Sequence, residues 1–381
     1  MKRIIISGGG TGGHIFPAIA IADTITKRYP EAQILFVGAE GRMEMERVPR
    51  AGYEIVGLPI KGLDRKHLLK NFKVGIDMLR SLSLASNTIR RFKPEVVVGV
   101  GGYASAPTLK AAQMLGIPTL IQEQNSYAGV TNKFLSKKVK RICVAYPEME
   151  RFFPADKIIL TGNPIRPEIE ILQGNRQEAL QYFGLSQDSS KILLVIGGSL
   201  GARTINLAIA RALPSITQAG VTLIWQTGKE YIQQMRKEVA AVSGLKVYIS
   251  DFIDRMDHAY TLADLVVSRA GASSVSELCL LGKASILVPS PNVAEDHQTK
   301  NAKALSSRNA AVLITDKEAP ELLGKTALDL LADAEQLSRL SESALSLAHR
   351  KAADRIVDEI ERVLLIQNKP EQKNQPNVSN V

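Results

Sequence analysis

The stretches IIISGGGTGG, starting at Ile4, and LLVIGGSLGA, starting at Leu193, each run an apolar strand into Gly-Gly-(Thr/Ser)-x-Gly and then into a helical pattern. A glycine-rich turn between strand and helix bares backbone N–H groups at the positive end of the helix, so an anion can approach without meeting side chains. A chain that restarts this programme in its second half builds two similar α/β units rather than one sheet.

The remaining pattern agrees. Strands are expected at 3–7, 33–37, 96–99, 119–122, 141–144 and 158–160, then at 192–196, 222–226, 246–249, 265–268 and 285–288. Helical stretches at 17–28, 70–91 and 106–115 lie between the first set. Such alternation predicts parallel sheets covered by helices on both faces, the doubly wound Rossmann-like arrangement. A length of 381 residues also suits about two domains. The expected boundaries are 1–163 and 164–341, joined within TGNPIRPEI, whose two prolines end the preceding strand. A terminal helix over about 342–365 is expected to pack back on the first domain, and 367–381, without apolar periodicity, to be a disordered tail.

The formal charge is +10, and it is localised. Lys61 to Lys93 holds nine Lys or Arg against two Asp, and Lys133 to Arg141 adds five more. Such a patch suits nucleic acid, acidic headgroups or a polyanionic substrate. Within it, Leu68, Phe72, Ile76 and Leu79 form one helical stripe, which either packs on its own sheet or rests on an anionic membrane surface. No apolar run reaches the ~20 residues of a membrane span, and three isoleucines are too few for a signal-peptide core, so a cytoplasmic location is expected. The two cysteines, Cys143 and Cys279, read as core residues. No metal-ligand pairing of the five histidines is apparent, so neither a metal nor a cofactor is expected.

A dinucleotide reading of the first loop needs an acid at the end of the second strand. Only Glu40 is offered, and it lies too far along. Thr11 within the glycines and His14 just after them also crowd that space. His14 is a candidate general base or, equally, a histidine that caps its own helix. The loops after Ser7, Val98 and Gln122 are expected on one rim. In the second half, the small residues Ala270 to Ser274 open a helix start that carries Glu277, a carboxylate suited to two vicinal ribose hydroxyls or simply to a solvated helix end. Gln298 follows in a dense polar loop.

GGGTGGHIFPA, GVGGYASAP, EQNSYAGVTNK, GNPIR, GGSLGAR, RAGASSVSE and DHQTKNA, in that order, resemble the bacterial N-acetylglucosaminyltransferases that convert lipid I to lipid II with UDP-N-acetylglucosamine (UDP-GlcNAc). The resemblance covers about residues 3–360. It implies a GT-B fold, two Rossmann-like domains facing a cleft, and an inverting transfer to the 4-hydroxyl of lipid-linked N-acetylmuramoyl-pentapeptide, with His14 as first and Glu123 as second candidate base. It also implies UDP-GlcNAc contacts at Thr11, Gly12, Gly13, Asn125, Arg166, Ser199, Ile253, Ala272, Ser273, Ser274, Val275, Ser276, Glu277 and Gln298, and an acceptor site at Gly101, Gly102 and Tyr103. The partners it admits are UDP-GlcNAc, lipid I, the anionic inner leaflet on the cytoplasmic side and other cell-wall synthesis proteins. Against it stand an NAD-linked oxidoreductase, which accounts for the first loop alone, and a nucleic-acid-binding protein, which accounts for the charge alone; no nucleic-acid partner is expected.

Overall fold

Runs such as IIIS, VVVG, ILLVI and LVVS have no polar face, so each strand must be covered on both sides. A computed structural model describes residues 1–60, 71–170, 172, 175–187, 191–198 and 200–367 and contains two such covered sheets. The first has seven parallel strands: β1 (Arg3–Ser7), β2 (Gln33–Ala39), β3 (Glu54–Leu58), β4 (Val96–Gly99), β5 (Thr119–Glu123), β6 (Arg141–Val144) and β7 (Ile158–Leu160). Their spatial order is β3-β2-β1-β4-β5-β6-β7. The second holds β8 (Ile192–Ile196), β9 (Thr222–Gln226), β10 (Val247–Ser250), β11 (Leu265–Ser268), β12 (Ser285–Leu287) and β13 (Val312–Leu313) in the order β10-β9-β8-β11-β12-β13. Winding reverses between β1 and β4, and again between β8 and β11. In open parallel sheets that reversal leaves a crevice at the carboxyl ends of the strands. Both glycine-rich turns leave from a strand at such a point.

Strands β3 and β13 fall outside the expected set. Both lie at sheet edges, where burial is incomplete, and β13 has only two residues. Each nevertheless sits in a short apolar stretch, IVGL from Ile55 and AAVLI from Ala310.

The terminal helix also differs from expectation: the segment forms two helices, Ala334–Ser346 and Ala352–Gln367, with Lys351 at φ +55 between them. Two cores make incompatible demands on it. Leu340 and Ala344 pack in the second domain, whereas Ile356, Val357, Ile360 and Val363 pack against Ile4, Ile6, Ile21 and Ile25 of the first. The break carries the chain from one core to the other. Arg28 then ties helix Gly12–Arg28 to the final helix through Asp354 at 2.7 Å, Asp358 at 2.5 Å and Glu361 at 3.2 Å. These pairs are partly solvated and each adds at most about 1 kcal/mol, so apolar burial dominates the attachment. The expected tail beyond Gln367 lies outside the described residues.

Helix Asn71–Phe92 carries the described part of the expected stripe. Asp77, Ser81, Ala85 and Ile89 form its buried stripe, while Leu79 is 68% and Ile76 41% exposed. Leu68 and the side chain of Phe72 lie outside the described residues. Replacing Ile360 by Ala removes a fully buried contact of the final helix, and its expected cost is about 2–5 kcal/mol, read as a lower denaturant midpoint at unchanged slope.

Candidate active site

At the first switch point two glycine turns meet backbone to backbone. Gly102, at φ +86, lies so close to the Gly9 carbonyl that a β-carbon there would collide with it. Gly101, at φ +91, leaves room for His14: a β-carbon would fall 2.9 Å from its Nε2. The Thr11 hydroxyl lies 3.2 Å from His14 Nδ1, and the Thr11 carbonyl accepts from the His14 and Ile15 amides as the helix begins. The imidazole keeps some solvent contact. Its pKa is nevertheless pushed down to about 4, chiefly by burial and next by the nearby His297, with a backbone hydrogen bond at Gly9 acting the other way. His14 is therefore neutral at pH 7 and able to take a proton.

The same turn is closed to an anion on its other side. Glu44, fully buried, accepts from the Gly10 amide at 2.8 Å through Oε2 and from the Ala39 amide at 3.0 Å through Oε1. Glu40, the one acid a dinucleotide reading had available, is exposed. A carboxylate already holding a loop amide opposes a phosphate there.

After β5 the chain turns about the buried Glu123. Its Oε1 accepts from the Asn125 amide at 3.1 Å and from Asn125 Nδ2 at 3.2 Å; its Oε2 accepts from the Gly129 amide at 3.0 Å and from Asn132 Nδ2 at 2.9 Å. A carboxylate with four donors is committed to the loop. Both oxygens of Glu123, the second candidate for the base, thus accept within the turn that carries Asn125.

Across the cleft, helix Ala272–Leu280 starts with no side-chain cap at Gly271, and the buried Ser273 hydroxyl has no hydrogen-bond partner among the described residues. Its N-terminal donors thus remain for a ligand. Glu277 accepts from Arg166 Nη2 at 3.2 Å through Oε1 and from the Tyr260 hydroxyl at 2.9 Å through Oε2. Burial, with Glu277 next, raises the Tyr260 pKa well above its usual value and keeps it a donor. Gln226 links two loops, donating to the Gly198 carbonyl at 3.0 Å and accepting from the Ile253 amide at 2.9 Å. Gln298 Oε1 accepts from the Ser290 amide at 2.8 Å, which leaves its amide hydrogens for a ligand. Just before it, Glu295 and Asp296 stand at φ +54 and +53, and His297 Nε2 lies 3.2 Å from Glu295 Oε2. Two consecutive left-handed non-glycine residues cost roughly 1–3 kcal/mol each, the kind of strain that accumulates at functional loops.

The two halves match the family models described as glycosyltransferase family 28 N-terminal domain, over residues 4–144, and glycosyltransferase family 28 C-terminal domain, over 192–356. The chain belongs to glycosyltransferase family 28. It is 68% identical over 362 residues, 95% of its length and 96% of the relative's, to the UDP-N-acetylglucosamine--N-acetylmuramyl-(pentapeptide) pyrophosphoryl-undecaprenol N-acetylglucosamine transferase of Porphyromonas gingivalis. It is 58% identical over 360 residues, 94% of each chain, to the protein of that name in Bacteroides fragilis. The crystal structure of Acinetobacter baumannii MurG superposes with a TM-score of 0.77 at 29% identity, covering 95% of this chain and all of the other. The GT-B expectation therefore holds, with one Rossmann-like domain in each half of this family 28 chain.

Of the expected site residues, Thr11, Gly12, Gly13, His14, Gly101, Gly102 and Asn125 lie in the first half beyond its strand ends, and Ser273, Glu277 and Gln298 in the second. Arg166 spans them, its guanidinium paired with Glu277 and 5.9 Å from the Phe16 ring. Within 272–277 two residues turn away: Val275 is buried in the core, and the Ser276 hydroxyl accepts from Asn163 Nδ2 at 2.9 Å. Tyr103 is half exposed beside its glycines. Ser199 lies outside the described residues. Glu44, Gln226, Tyr260 and Asn301 are involved in the site but were not among the expected residues, because their roles depend on contacts far along the chain.

If His14 accepts the proton, kcat/KM should stay level as the pH falls from 8 to 6 and decline only towards its pKa of about 4, since the neutral form is the active one. An acidic limb centred at 6.5 or above, in a pH–rate profile with substrate ionisation corrected, contradicts that. His14→Ala should lower kcat about 100-fold or more, and a loss below about tenfold removes it from the role.

Proposed function

We infer that this chain transfers N-acetylglucosamine from UDP-GlcNAc to the 4-hydroxyl of the N-acetylmuramoyl group of lipid I, giving lipid II. The observation that carries the reading is the near full-length likeness to relatives bearing that activity in their names. The facing rims add a chemical rationale.

The donor diphosphate is α-linked and the disaccharide product β-linked, so one in-line displacement suffices. The acceptor oxygen forms the bond to the anomeric carbon as the bond to the diphosphate oxygen breaks; the electron pair leaves with UDP and the hydroxyl proton passes to His14. Glu277, oriented by Arg166 and Tyr260, takes the ribose hydroxyls. Asn125 and Gln298 hold the sugar, Ile253 borders the uracil, and the uncapped helix start at Ala272 and Ser273 faces the nucleotide. Charge on the leaving diphosphate is met by helix ends and fixed donors, a form of preorganised electrostatic stabilisation. The acceptor pyrophosphate approaches the turn at Gly101, Gly102 and Tyr103.

A lipid-linked acceptor must be reached at a membrane surface. Among the described residues no helix is long and apolar enough to cross a membrane. Helices Asn71–Phe92, Ser105–Met114 and Val130–Leu135 lie side by side and expose Leu79, Met114 and Phe134, each about two-thirds accessible, amid Arg80, Lys110, Lys137 and Lys138. An apolar patch rimmed by cations suits an anionic leaflet, here the cytoplasmic one.

Transfer of labelled N-acetylglucosamine to a lipid I analogue, with and without EDTA, tests the reading. Transfer that survives chelation is expected. Failure with authenticated acceptor, by folded protein that still binds UDP-GlcNAc, would leave the donor site and overturn the acceptor. Leu79→Glu with Phe134→Glu should reduce co-sedimentation with anionic vesicles at least severalfold while leaving transfer to a water-soluble acceptor unchanged.

A further inference from the structure

Asn301 lies in helix His297–Ser306 of the second domain and is fully buried. Its Oδ1 accepts from the Ser126 amide at 3.0 Å and the Ser126 hydroxyl at 3.1 Å. Its Nδ2 donates to Asn125 Oδ1 at 3.2 Å and to the Ala270 carbonyl at 3.3 Å. These four bonds use the whole capacity of the amide. They also fix which end is which, because a backbone amide can only donate and a backbone carbonyl only accept.

Asn125 is fixed in turn. Its Nδ2 faces Glu123 Oε1 and its Oδ1 faces Asn301 Nδ2. Flipping it would set oxygen against carboxylate and N–H against N–H, losing two partly buried hydrogen bonds. One N–H and one lone pair remain on this half-exposed amide for a ligand. Their direction is thus set jointly by a first-domain carboxylate and a second-domain amide.

We propose that Asn301 is a positioning residue that makes the Asn125 amide competent for the donor sugar only when the two domains are together. The Ala270 carbonyl, just before the helix start that faces the nucleotide, anchors Asn301 on its own domain. Opening the cleft would release Asn125 from its second restraint. The sugar-binding amide is therefore complete only in the closed arrangement. This inference rests on the reading of Asn125 as a sugar contact.

The test compares binding of UDP and of UDP-GlcNAc by calorimetry for the unaltered chain, Asn125→Ala, Asn301→Ala, the double variant and Asn301→Asp. UDP lacks the N-acetylglucosamine, so its affinity should stay within about twofold throughout. UDP-GlcNAc affinity should fall about tenfold in each single variant, and the double variant should be no worse than Asn125→Ala, because the two residues act as one unit. Asn301→Asp keeps the acceptor for Ser126 and the shape of the side chain, so it answers the question should the alanine variant not fold. Equal weakening of UDP and UDP-GlcNAc, or additive losses in the double variant, would overturn the proposal. If Asn125→Ala binds UDP-GlcNAc normally, the sugar-contact reading itself fails, and the proposal with it.

Discussion

Each sheet reverses its strand order once, and each reversal opens a crevice where two neighbouring loops diverge. A single crevice of this kind can hold a nucleotide. Here two such crevices are joined across a seam. The seam includes polar contacts of Asn163 on Ser276 and Ser126 on Asn301, with Tyr146 packed against the second core. The last helix adds an apolar anchor by leaving the second domain at Lys351 and burying Ile356 and Ile360 in the first. Without that seam the two glycine turns would be separate half-sites.

Electrostatics divide the labour between the rims. On the first, burial keeps His14 neutral and Glu44 occupies a loop amide that a phosphate would otherwise seek. On the second, the uncapped helix beginning after Gly271 carries positive potential, and its Glu277 is engaged by Arg166 and Tyr260. A negatively charged leaving group is favoured on one side and a proton acceptor on the other. That asymmetry is what a displacement between two sugars requires.

Much of this was legible before any coordinates. Parallel strands buried on both faces advertise themselves as apolar runs, and glycine turns mark where they end, so most strands and the pairing of two α/β units could be read directly. Edge strands such as Val312–Leu313 could not, because the short apolar run AAVLI around it suits a buried helix segment as well as a strand. The final helix looked continuous because periodicity records apolar spacing and not the core it faces; only the positions of two separate cores require the break at Lys351. Within the site, His14 and Glu277 stood out because each adjoins a recognisable turn. Glu44 and Asn301 did not, since the partners that define them lie 34 and 175 or more residues away. Glu123 was visible as a polar residue at a strand end, yet its four hydrogen bonds, and hence its structural task, were not.

The account depends on a single displacement at the anomeric carbon, assisted by a neutral imidazole, with Glu123 too fully bonded to act as a covalent nucleophile. The anomeric configuration of the first-formed disaccharide, followed by NMR from UDP-GlcNAc labelled at that carbon, examines this most directly. A β-linked product, with no α-linked species at early times, is the predicted result. An α-linked product would exclude a single in-line displacement and would contradict the assignment of His14 as its base.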